Sequence, residues 1–511
     1  MELNPAARRL RAILLLPLLW AAACRRVSPP SSIQISVPHL VMDLDPHAHN
    51  QLAAFAIVSQ FYDTLVTTDA NMQIQPCLAS RWENPDPSTW IFHLRPDVRF
   101  HSGKAFSSED VVYTLDRLLE SRGLEMTGYL LYIDEVRALD PLTIRIRTTK
   151  PLAILLNKLR FISILPKGSV ESEIPEHPDG TGPYRVTHWE KGKLLRLERF
   201  AGYWGRAAPV ARVTFLLNRG PEEALSDILT GKSQLVQCNS KKLEASLRCL
   251  PRFQTLHRSS IFTKYLGYDL GRDVSPRCPV RPNPFRNVLV REALDIAIDR
   301  NALVRDLPYN AVPASQLVPP FIFGFDPRIR IPVHDPARTR DLLARAGLPR
   351  GFSATLQTRT LLADAARLVA DQLKNVGIKF DLQVLTDPEY FARMDARDTT
   401  VHISRFGCLT GDLSDILDNV LHSLDPARHF GIHNYVGYSS PEVDAEIEAS
   451  AEKQSVNARR DALQQIEDRL MRDLVWIPLF VDQDDYAVDR RFDWQPRNDG
   501  IILASEITPA S

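Results

Sequence analysis

Six side chains that could take part in acid–base or nucleophilic chemistry are crowded into one short segment, residues 101–110. They are His101, Lys104, Ser107, Ser108, Glu109 and Asp110. A catalytic centre uses such groups as bases, nucleophiles and charge stabilisers. The same polar groups would also suit the turn between a strand and a helix, so the surrounding pattern must decide between the two.

That pattern favours the turn. A helix would begin at Ser107 or Ser108, and Asp110 follows Ser107 by three residues, as in a capping box with Asp in place of Glu. Gly103 permits the preceding turn. The next apolar residues recur at helical spacing: Val111, Leu115 and Leu118. We therefore predict a structural role for this segment.

Other motifs give little support for an enzyme. "GTGP" at 180–183 lacks the spacing of a nucleotide-binding loop, and "LTGKS" at 229–233 has Ser226 where a P-loop requires glycine. His47 and His49 flank one residue and could hold a metal, although such pairs are more often surface or loop residues. The motifs GxSxG and HExxH do not occur in the sequence. We predict no catalytic residues, no cofactor and no metal site.

The elements that position these residues point to a mixed α/β protein. A chain of 511 residues is too long to fold around a single hydrophobic core, so two or three domains are expected. Alternating apolar residues predict strands at "SIQISV", "TWIFHLR" and "PLTIRIRT", and helical stripes follow "HDPARTRDLLARAGLP" and "AARLVADQLKNVG". The Pro- and Arg-rich segment 271–287 predicts a domain boundary. With 62 basic and 62 acidic residues, the chain has no charge excess for nucleic acid.

The N-terminus is typical of a secretory signal peptide, residues 1–23. Three arginines precede an apolar run that ends at Cys24, and the run is shorter than the ~20 residues of a membrane-spanning helix. "AAAC" resembles a lipoprotein cleavage site, with Ala21 where leucine is usual. Two alternatives follow: Cys24 carries lipid and residues 24–32 form a tether, or the chain is simply secreted with Cys24 as a plain thiol.

Six segments resemble, in order, the family 5 extracellular solute-binding proteins, which are the peptide- and nickel-type receptors of ABC importers. They are "IQPCLASRW" (74–82), "FHLRPDVRFHSGKAFSSEDVVYTLDRL" (92–118), "GTGPYRVTHWEKGKLLRLERFAGYWG" (180–205), "PFRNVLVREALDIAIDRNALV" (284–304), "HDPARTRDLLARAGLPRGF" (334–352) and "VGYSSPEVDAEIEAS" (436–450). The segments run from residue 74 to residue 450, and the resemblance is taken to cover the chain from about residue 33 to residue 480.

The resemblance implies a type II periplasmic-binding-protein-like fold with two lobes and a ligand cleft between them. The expected first lobe comprises residues 33–66, 183–272 and 481–511, with an inserted subdomain at 67–182, and the second lobe comprises 273–480. Such a protein would be a monomeric, periplasmic or extracytoplasmic receptor that delivers a small solute, here an oligopeptide, to a membrane permease. The alternatives are a sugar, opine or metal-complex ligand, and a sensor for a membrane signalling partner.

The resemblance also directs attention to residues 404–425. In peptide-binding relatives an aspartate of this segment pairs with the ligand's ammonium group, and its position falls near Leu409, close to Asp412. Asp412 would either reach the cleft or cap the following helix. The expected cleft residues are Asp412, Arg405 and Phe406 from the second lobe with His47 and Asn50 from the first. Cys278 and Cys408 are expected either to form a disulfide or to remain buried thiols.

Overall fold

The computed structural model describes residues 31–121, 123–248, 250–453 and 455–510. The expected signal peptide and Cys24 lie outside the described residues, as does most of the expected tether. Within the described part of the chain, no helix is both long and apolar enough to cross a membrane.

The described chain contains nineteen β-strands and thirteen α-helices, together with short 3-10 and π turns. The strands are β1 Ser32–Val37, β2 Val66–Thr68, β3 Ile74–Pro76, β4 Ala79–Asp86, β5 Thr89–Leu94, β6 Ile133–Asp140, β7 Thr143–Thr148, β8 Tyr184–Glu190, β9 Leu194–Arg199, β10 Arg212–Leu217, β11 Leu235–Gln237, β12 Phe253–Tyr268, β13 Ala311–Pro313, β14 Phe352–Arg359, β15 Ile378–Leu385, β16 Val401–Gly407, β17 Trp476–Asp489, β18 Phe492–Asp493 and β19 Thr508–Pro509. The helices are α1 Leu52–Val58, α2 Ser108–Glu120, α3 Leu155–Leu159, α4 Pro221–Leu229, α5 Lys241–Leu247, α6 Val288–Ala297, α7 Arg300–Asp306, α8 Pro336–Arg345, α9 Ala363–Lys374, α10 Asp387–Asp395, α11 Ser414–Ile416, α12 Pro441–Ala451 and α13 Val456–Arg472.

One long mixed sheet runs through both lobes. Its order is β15-β14-β16-β12-β17-β11-β1-β10-β9-β8, with β13 paired to β17 beside this path. The strands β8 to β11 and β1 pack on a first-lobe core that includes Ile35 and Phe215. The strands β14 to β16 pack on a second-lobe core with helices α6, α8 and α9. The structure is therefore a two-lobed α/β fold, as expected from the sequence.

Two long strands connect the lobes. The first half of β12 and the second half of β17 pair with each other, and β17 also pairs there with β11 of the first lobe. From Phe262 onward, β12 also pairs on its other side with β16 of the second lobe, while it stays paired with β17. The register of the β12–β17 pair slips between Ser259 and Thr263, where the chain passes from one lobe to the other. These two strands form the connection about which the lobes would move.

An inserted subdomain is built around a separate four-stranded antiparallel sheet. Its order is β4-β5-β7-β6, and helix α2 packs against it. Its own hydrophobic core runs from Leu65 to Ile164. The division of the chain at residues 67, 183, 273 and 481 stays a prediction, and the β12–β16 pairing begins eleven residues before the expected start of the second lobe at 273.

The polar segment at 101–110 is a turn and a helix cap. Ser107 is the N-cap of α2, and its backbone N–H donates to Asp110 Oδ2 at 2.8 Å, so the predicted capping box is confirmed. The Ser108 hydroxyl donates to the carbonyl of Asp140 at 2.6 Å, and Lys104 Nζ donates to Asp110 Oδ1 at 2.8 Å. Gly103 has the left-handed φ of +93° that the turn requires.

Candidate ligand cleft

A cavity of about 650 Å³ lies between the two lobes. The first lobe contributes the end of β1 at Val37, the segment 50–57 at the start of α1, and Gln237 at the end of β11. The second lobe contributes Arg359 at the end of β14 and Arg405 near the end of β16. Strands β1 and β11 run parallel, as do β14 and β16, so the cavity lies at the carboxyl ends of parallel strands in both lobes. This is the usual place for ligands in open α/β sheets.

The second-lobe wall of this cavity carries an unpaired cation. No described carboxylate lies within salt-bridge distance of the Arg405 guanidinium, which instead lies 4.4 Å from the centroid of the Phe262 ring. The neighbouring Arg359 is different, because its Nε donates to Asp387 Oδ1 at 2.9 Å. Burial, and then the charge on Arg359, lower the pKa of Arg405. The negative charge of a bound anion would stabilise the charged guanidinium and so raise the pKa of Arg405 again.

The hinge strands supply the opposite charge. Asp482 and Asp484 are two residues apart on β17, so both point to the cavity side of the strand. Asp482 pairs through Oδ2 with the buried Lys264 on β12, and its Oδ1 is buried without a hydrogen-bond partner. Asp484 has no hydrogen-bond or salt-bridge partner among the described residues. Burial, and then the charge on Asp482, raise its pKa to about 7.

The remaining wall is largely apolar. It includes Leu52 and Ile57 of α1, Phe215 of β10, Phe391 of α10 and Leu409. Leu409 is the position where the resemblance places an aspartate in peptide-binding relatives, so an alkyl side chain stands in this wall instead. Apolar walls with a few charged groups are typical of small-molecule sites.

Two of the five expected cleft residues line this cavity. Arg405 does so from β16 and Asn50 from the segment before α1. Phe406 is the next residue along β16, so its side chain lies on the opposite face of the strand, packed against a second-lobe core. Because these placements do not test binding, the roles of Arg405 and Asn50 stay predictions.

His47 is buried away from the cavity. Its Nε2 lies 2.8 Å from the carbonyl oxygen of Ser163, and Arg117 Nη1 donates to its Nδ1 at 2.8 Å. Burial, and then the charge on Arg117, lower the pKa of His47, in keeping with a neutral ring that donates through Nε2. His49 Nε2 instead lies 2.8 Å from Asp43 Oδ2. The two histidines therefore have separate structural partners, and His47 joins α2 to the first lobe.

Asp412 is also occupied by the protein itself. Its Oδ2 accepts a hydrogen bond from Arg459 Nη1 at 2.6 Å, and its Oδ1 accepts from Arg459 Nη2 at 2.8 Å. Oδ1 further accepts from the backbone N–H and the hydroxyl of Ser414. The side chain borders a second cavity, of about 510 Å³, between the inserted subdomain and the second lobe. Asp412 therefore contacts Ser414, the first residue of α11, without being the N-cap of that helix, which is Leu413, and it does not line the interlobe cavity.

Cys278 and Cys408 do not form the hypothesised disulfide, and both are buried free thiols. Cys278 Sγ lies 3.6 Å from the carbonyl oxygen of Ser353, near the start of β14, whereas Cys408 Sγ lies 3.0 Å from that of Asp412. Strands β14 and β16 are parallel, with Leu356 opposite Val401. The two thiols are thus on the order of 30 Å apart along the sheet, far beyond the reach of a disulfide.

Sequence reasoning missed the acidic half of the cavity. Asp482 and Asp484 line the cavity from β17, Lys264 on β12 pairs with Asp482, and none of the three is among the expected cleft residues. The signal was present in "VWIPLFVDQDDYAV", where Asp482 and Asp484 alternate at strand spacing after a fully apolar run. Charges on the inward face of such a strand indicate a polar cavity.

A wider groove, of about 950 Å³, follows α2 on the inserted subdomain. Residues of that subdomain alone line it, many of them charged, so closure of the lobes would not enclose it. The interlobe cavity is the one that both lobes and the hinge strands build together.

Most of the chain matches a known family of proteins. Residues 73–427 match the family model described as bacterial extracellular solute-binding proteins, family 5 Middle. The chain belongs to this family. Its members are solute-binding proteins of ABC importers, they act in the periplasm or elsewhere outside the cytoplasm, and they are not enzymes.

Relatives of known name agree with this assignment over nearly the full chain. The chain is 27% identical to the glutathione-binding protein GsiB of Salmonella typhi over 459 residues, covering 86% of this chain and 87% of that protein. It is also 27% identical to GsiB of Pectobacterium atrosepticum over 464 residues, covering 87% of each.

Solved structures match the fold as well. HbpA2 from Haemophilus parasuis superposes with a TM-score of 0.82 at 20% identity, covering 94% of this chain and all of that one. The periplasmic binding protein DppA from Helicobacter pylori, in complex with the peptide STSA, superposes with a TM-score of 0.79 at 22% identity, covering 94% and 98%. At these identities the superpositions establish the fold alone.

Proposed function

We propose that this solute-binding protein captures a small peptide that carries a free carboxylate, and that Arg405 binds this carboxylate. The observation that carries the proposal is the unpaired Arg405 guanidinium in the interlobe cavity. An arginine that lines a cavity without a salt-bridge partner favours an anionic ligand, and a planar carboxylate is its natural bidentate partner.

Three further observations support a peptide ligand. The relatives that match over most of this chain are named for glutathione, a tripeptide. A cavity of about 650 Å³ suits a ligand of that size. The charges of the cavity are of both signs, as are those of a free peptide. No feature of the cavity favours a sugar, an opine or a metal complex over a peptide. Membership of a family of ABC-importer receptors favours transport over a signalling role.

Closure of the lobes about β12 and β17 would exclude water from this cavity, and the closed form would be presented to the permease. In the water-poor cavity the charge on Arg405 would act on the ligand more strongly than in solvent. Lipidation of Cys24, with residues 24–32 as the tether, remains part of the proposal and is checked by the mass of the mature N-terminal peptide.

The test measures binding to the purified protein by calorimetry, with glutathione as the first probe and a synthetic set of dipeptides and tripeptides as the second. The substitution Arg405→Gln is expected to weaken binding of the tightest ligand by about 10- to 100-fold, because it removes a charge-assisted bidentate contact. Amidation of the ligand's C-terminal carboxyl group is expected to weaken binding to the wild type by a similar factor.

The exposed Arg350, which lies outside the cavity, supplies the matched control Arg350→Gln with unchanged affinity expected. Equal affinity of the wild type for the free and amidated ligand would contradict the role of Arg405. Failure of the wild type to bind glutathione or any member of the peptide set would contradict the peptide proposal itself.

A further inference from the structure

The acidic end of the interlobe cavity contains more acceptors than the protein satisfies. Lys264 occupies one oxygen of Asp482, but Asp482 Oδ1 is buried without a partner. The Asp484 carboxylate has no partner among the described residues. Ser260 is only 2% exposed and lines the same cavity, and no described residue hydrogen-bonds to its hydroxyl. Among the described residues, Lys264 is therefore the one cation in salt-bridge contact with this group of two carboxylates and a hydroxyl.

The charges that face Asp484 do not neutralise it. Asp482, Asp485 and Asp499 are its acidic neighbours, and the cations Lys264 and Arg405 act on it without forming a salt bridge to it. Asp485 is bound on the outer side of β17 by His257 and Asn310. The excess negative charge at this end matches the excess positive charge of Arg405 at the other.

We propose that Asp484, Asp482 and Ser260 form the subsite that binds the ammonium group of the ligand, so that the receptor selects zwitterionic peptides. This inference rests on the proposed function, since it assigns the second end of the same ligand. An ammonium group has three donors and no acceptor, which suits a set of three acceptors without partners. The assignment also explains how this receptor could bind an ammonium group although Leu409 stands in the cavity wall and Asp412 is bound to Arg459.

The distance between Arg405 and Asp484 limits the length of the peptide that can contact both. In the sheet, Arg405 lies opposite Lys264, and Lys264 opposite Phe480, four residues before Asp484. From the spacing of strands and of residues along them, the Cα atoms of Arg405 and Asp484 are on the order of 16 Å apart. Their side chains shorten the gap to roughly 7–10 Å, the length of two to three extended residues. The subsite therefore favours dipeptides and tripeptides.

The experiment compares lysine-free dipeptides and tripeptides with the same peptides after N-acetylation, by affinity selection with mass spectrometry and then by calorimetry on the tightest pair. The wild type is expected to bind the free peptide at least about 30-fold more tightly than the acetylated one. Asp484→Asn is expected to reduce this ratio to about threefold, since it removes the charge and keeps the shape. Because the substitution relieves repulsion from Asp482, the variant should fold, which circular dichroism checks.

Two further variants separate this subsite from the rest of the cavity. Arg405→Gln should weaken binding of both peptides equally and leave the ratio unchanged. The exposed Asp493 supplies the control Asp493→Asn, for which affinity and ratio should equal those of the wild type. Equal binding of free and acetylated peptides by the wild type, or an unchanged ratio in Asp484→Asn, overturns the ammonium subsite and leaves the peptide proposal standing. If no peptide binds the wild type, the proposed function fails and the subsite with it.

Discussion

Replacing Asp412 by asparagine is expected to lower the free energy of unfolding by about 3–5 kcal/mol, measured by urea denaturation. The reason is the bidentate ion pair with Arg459, in which both side chains are less than a tenth exposed. Asparagine keeps the shape and the acceptor for the Ser414 N–H, but it leaves the arginine charge buried without a counter-ion.

The matched control is Asp364→Asn, which breaks an ion pair with Arg367 in which both side chains are more than half exposed. A surface pair of this kind is worth at most about 1 kcal/mol. Below the unfolding transition, Asp412→Asn should bind ligand within about twofold of the wild type, because the side chain does not line the interlobe cavity. A normal stability together with a large loss of affinity would instead make Asp412 a ligand residue.

Replacing Gly180 by alanine is expected to destabilise the protein by more than about 3 kcal/mol. A Cβ atom at this position would lie 1.9 Å from the carbonyl oxygen of Phe61, and 2.8 Å from a ring carbon of Tyr62. The main chain runs close here because the two connections between the first lobe and the inserted subdomain lie side by side, with Gly182 N–H donating to Phe61 O at 3.1 Å. The backbone at Phe61 and the backbone at Gly180 cannot move apart without separating these two connections.

Gly128→Ala serves as the control, since a Cβ atom there would meet nothing within 4 Å. Its unfolding free energy should stay within about 1 kcal/mol of the wild type. Thermal unfolding of the two variants side by side gives the comparison. If Gly180→Ala were as stable as Gly128→Ala, the close approach of the two connections would be wrong. The "GTGP" motif is thus explained by packing rather than by a bound phosphate.

Local signals in the sequence were sufficient for many single elements. Asp335 caps α8 by accepting hydrogen bonds from the backbone N–H groups of Ala337 and Arg338, as its position before Pro336 predicts. Gly377, the last residue of the helical stripe predicted at 365–377, adopts a φ of +93° between α9 and β15. Such features depend on neighbouring residues only, so the sequence specifies them directly.

The first half of β12 was missed for a physical reason. Its residues 254–260 include Gln254, His257, Arg258, Ser259 and Ser260, so no apolar alternation marks a strand. The polar side chains are accommodated because this part of the strand forms the hinge and one wall of the cavity rather than a face of a core. Pairing with β17, more than 200 residues later in the chain, is what makes it a strand.

Some residues of the candidate site were found from the sequence, and others are recognised only in the structure. The resemblance directed attention to residues 404–425 and so reached Arg405, which lines the cavity, and Leu409 beside it. It also favoured His47 and Asp412, whose charges or ring nitrogens are satisfied within the protein by Arg117 and Arg459. Whether a polar side chain has a partner depends on tertiary contacts. For that reason the unpaired Asp484 emerges only from the folded chain.

The most direct test of the account is a crystal structure of the protein with the tightest-binding peptide from the dipeptide and tripeptide set. We predict that the peptide lies in the cavity between the lobes, with a carboxylate oxygen within about 3 Å of the Arg405 guanidinium. A peptide held in the cavity beside Asp412, or in the groove along α2, with no ligand atom in contact with Arg405, would contradict the account.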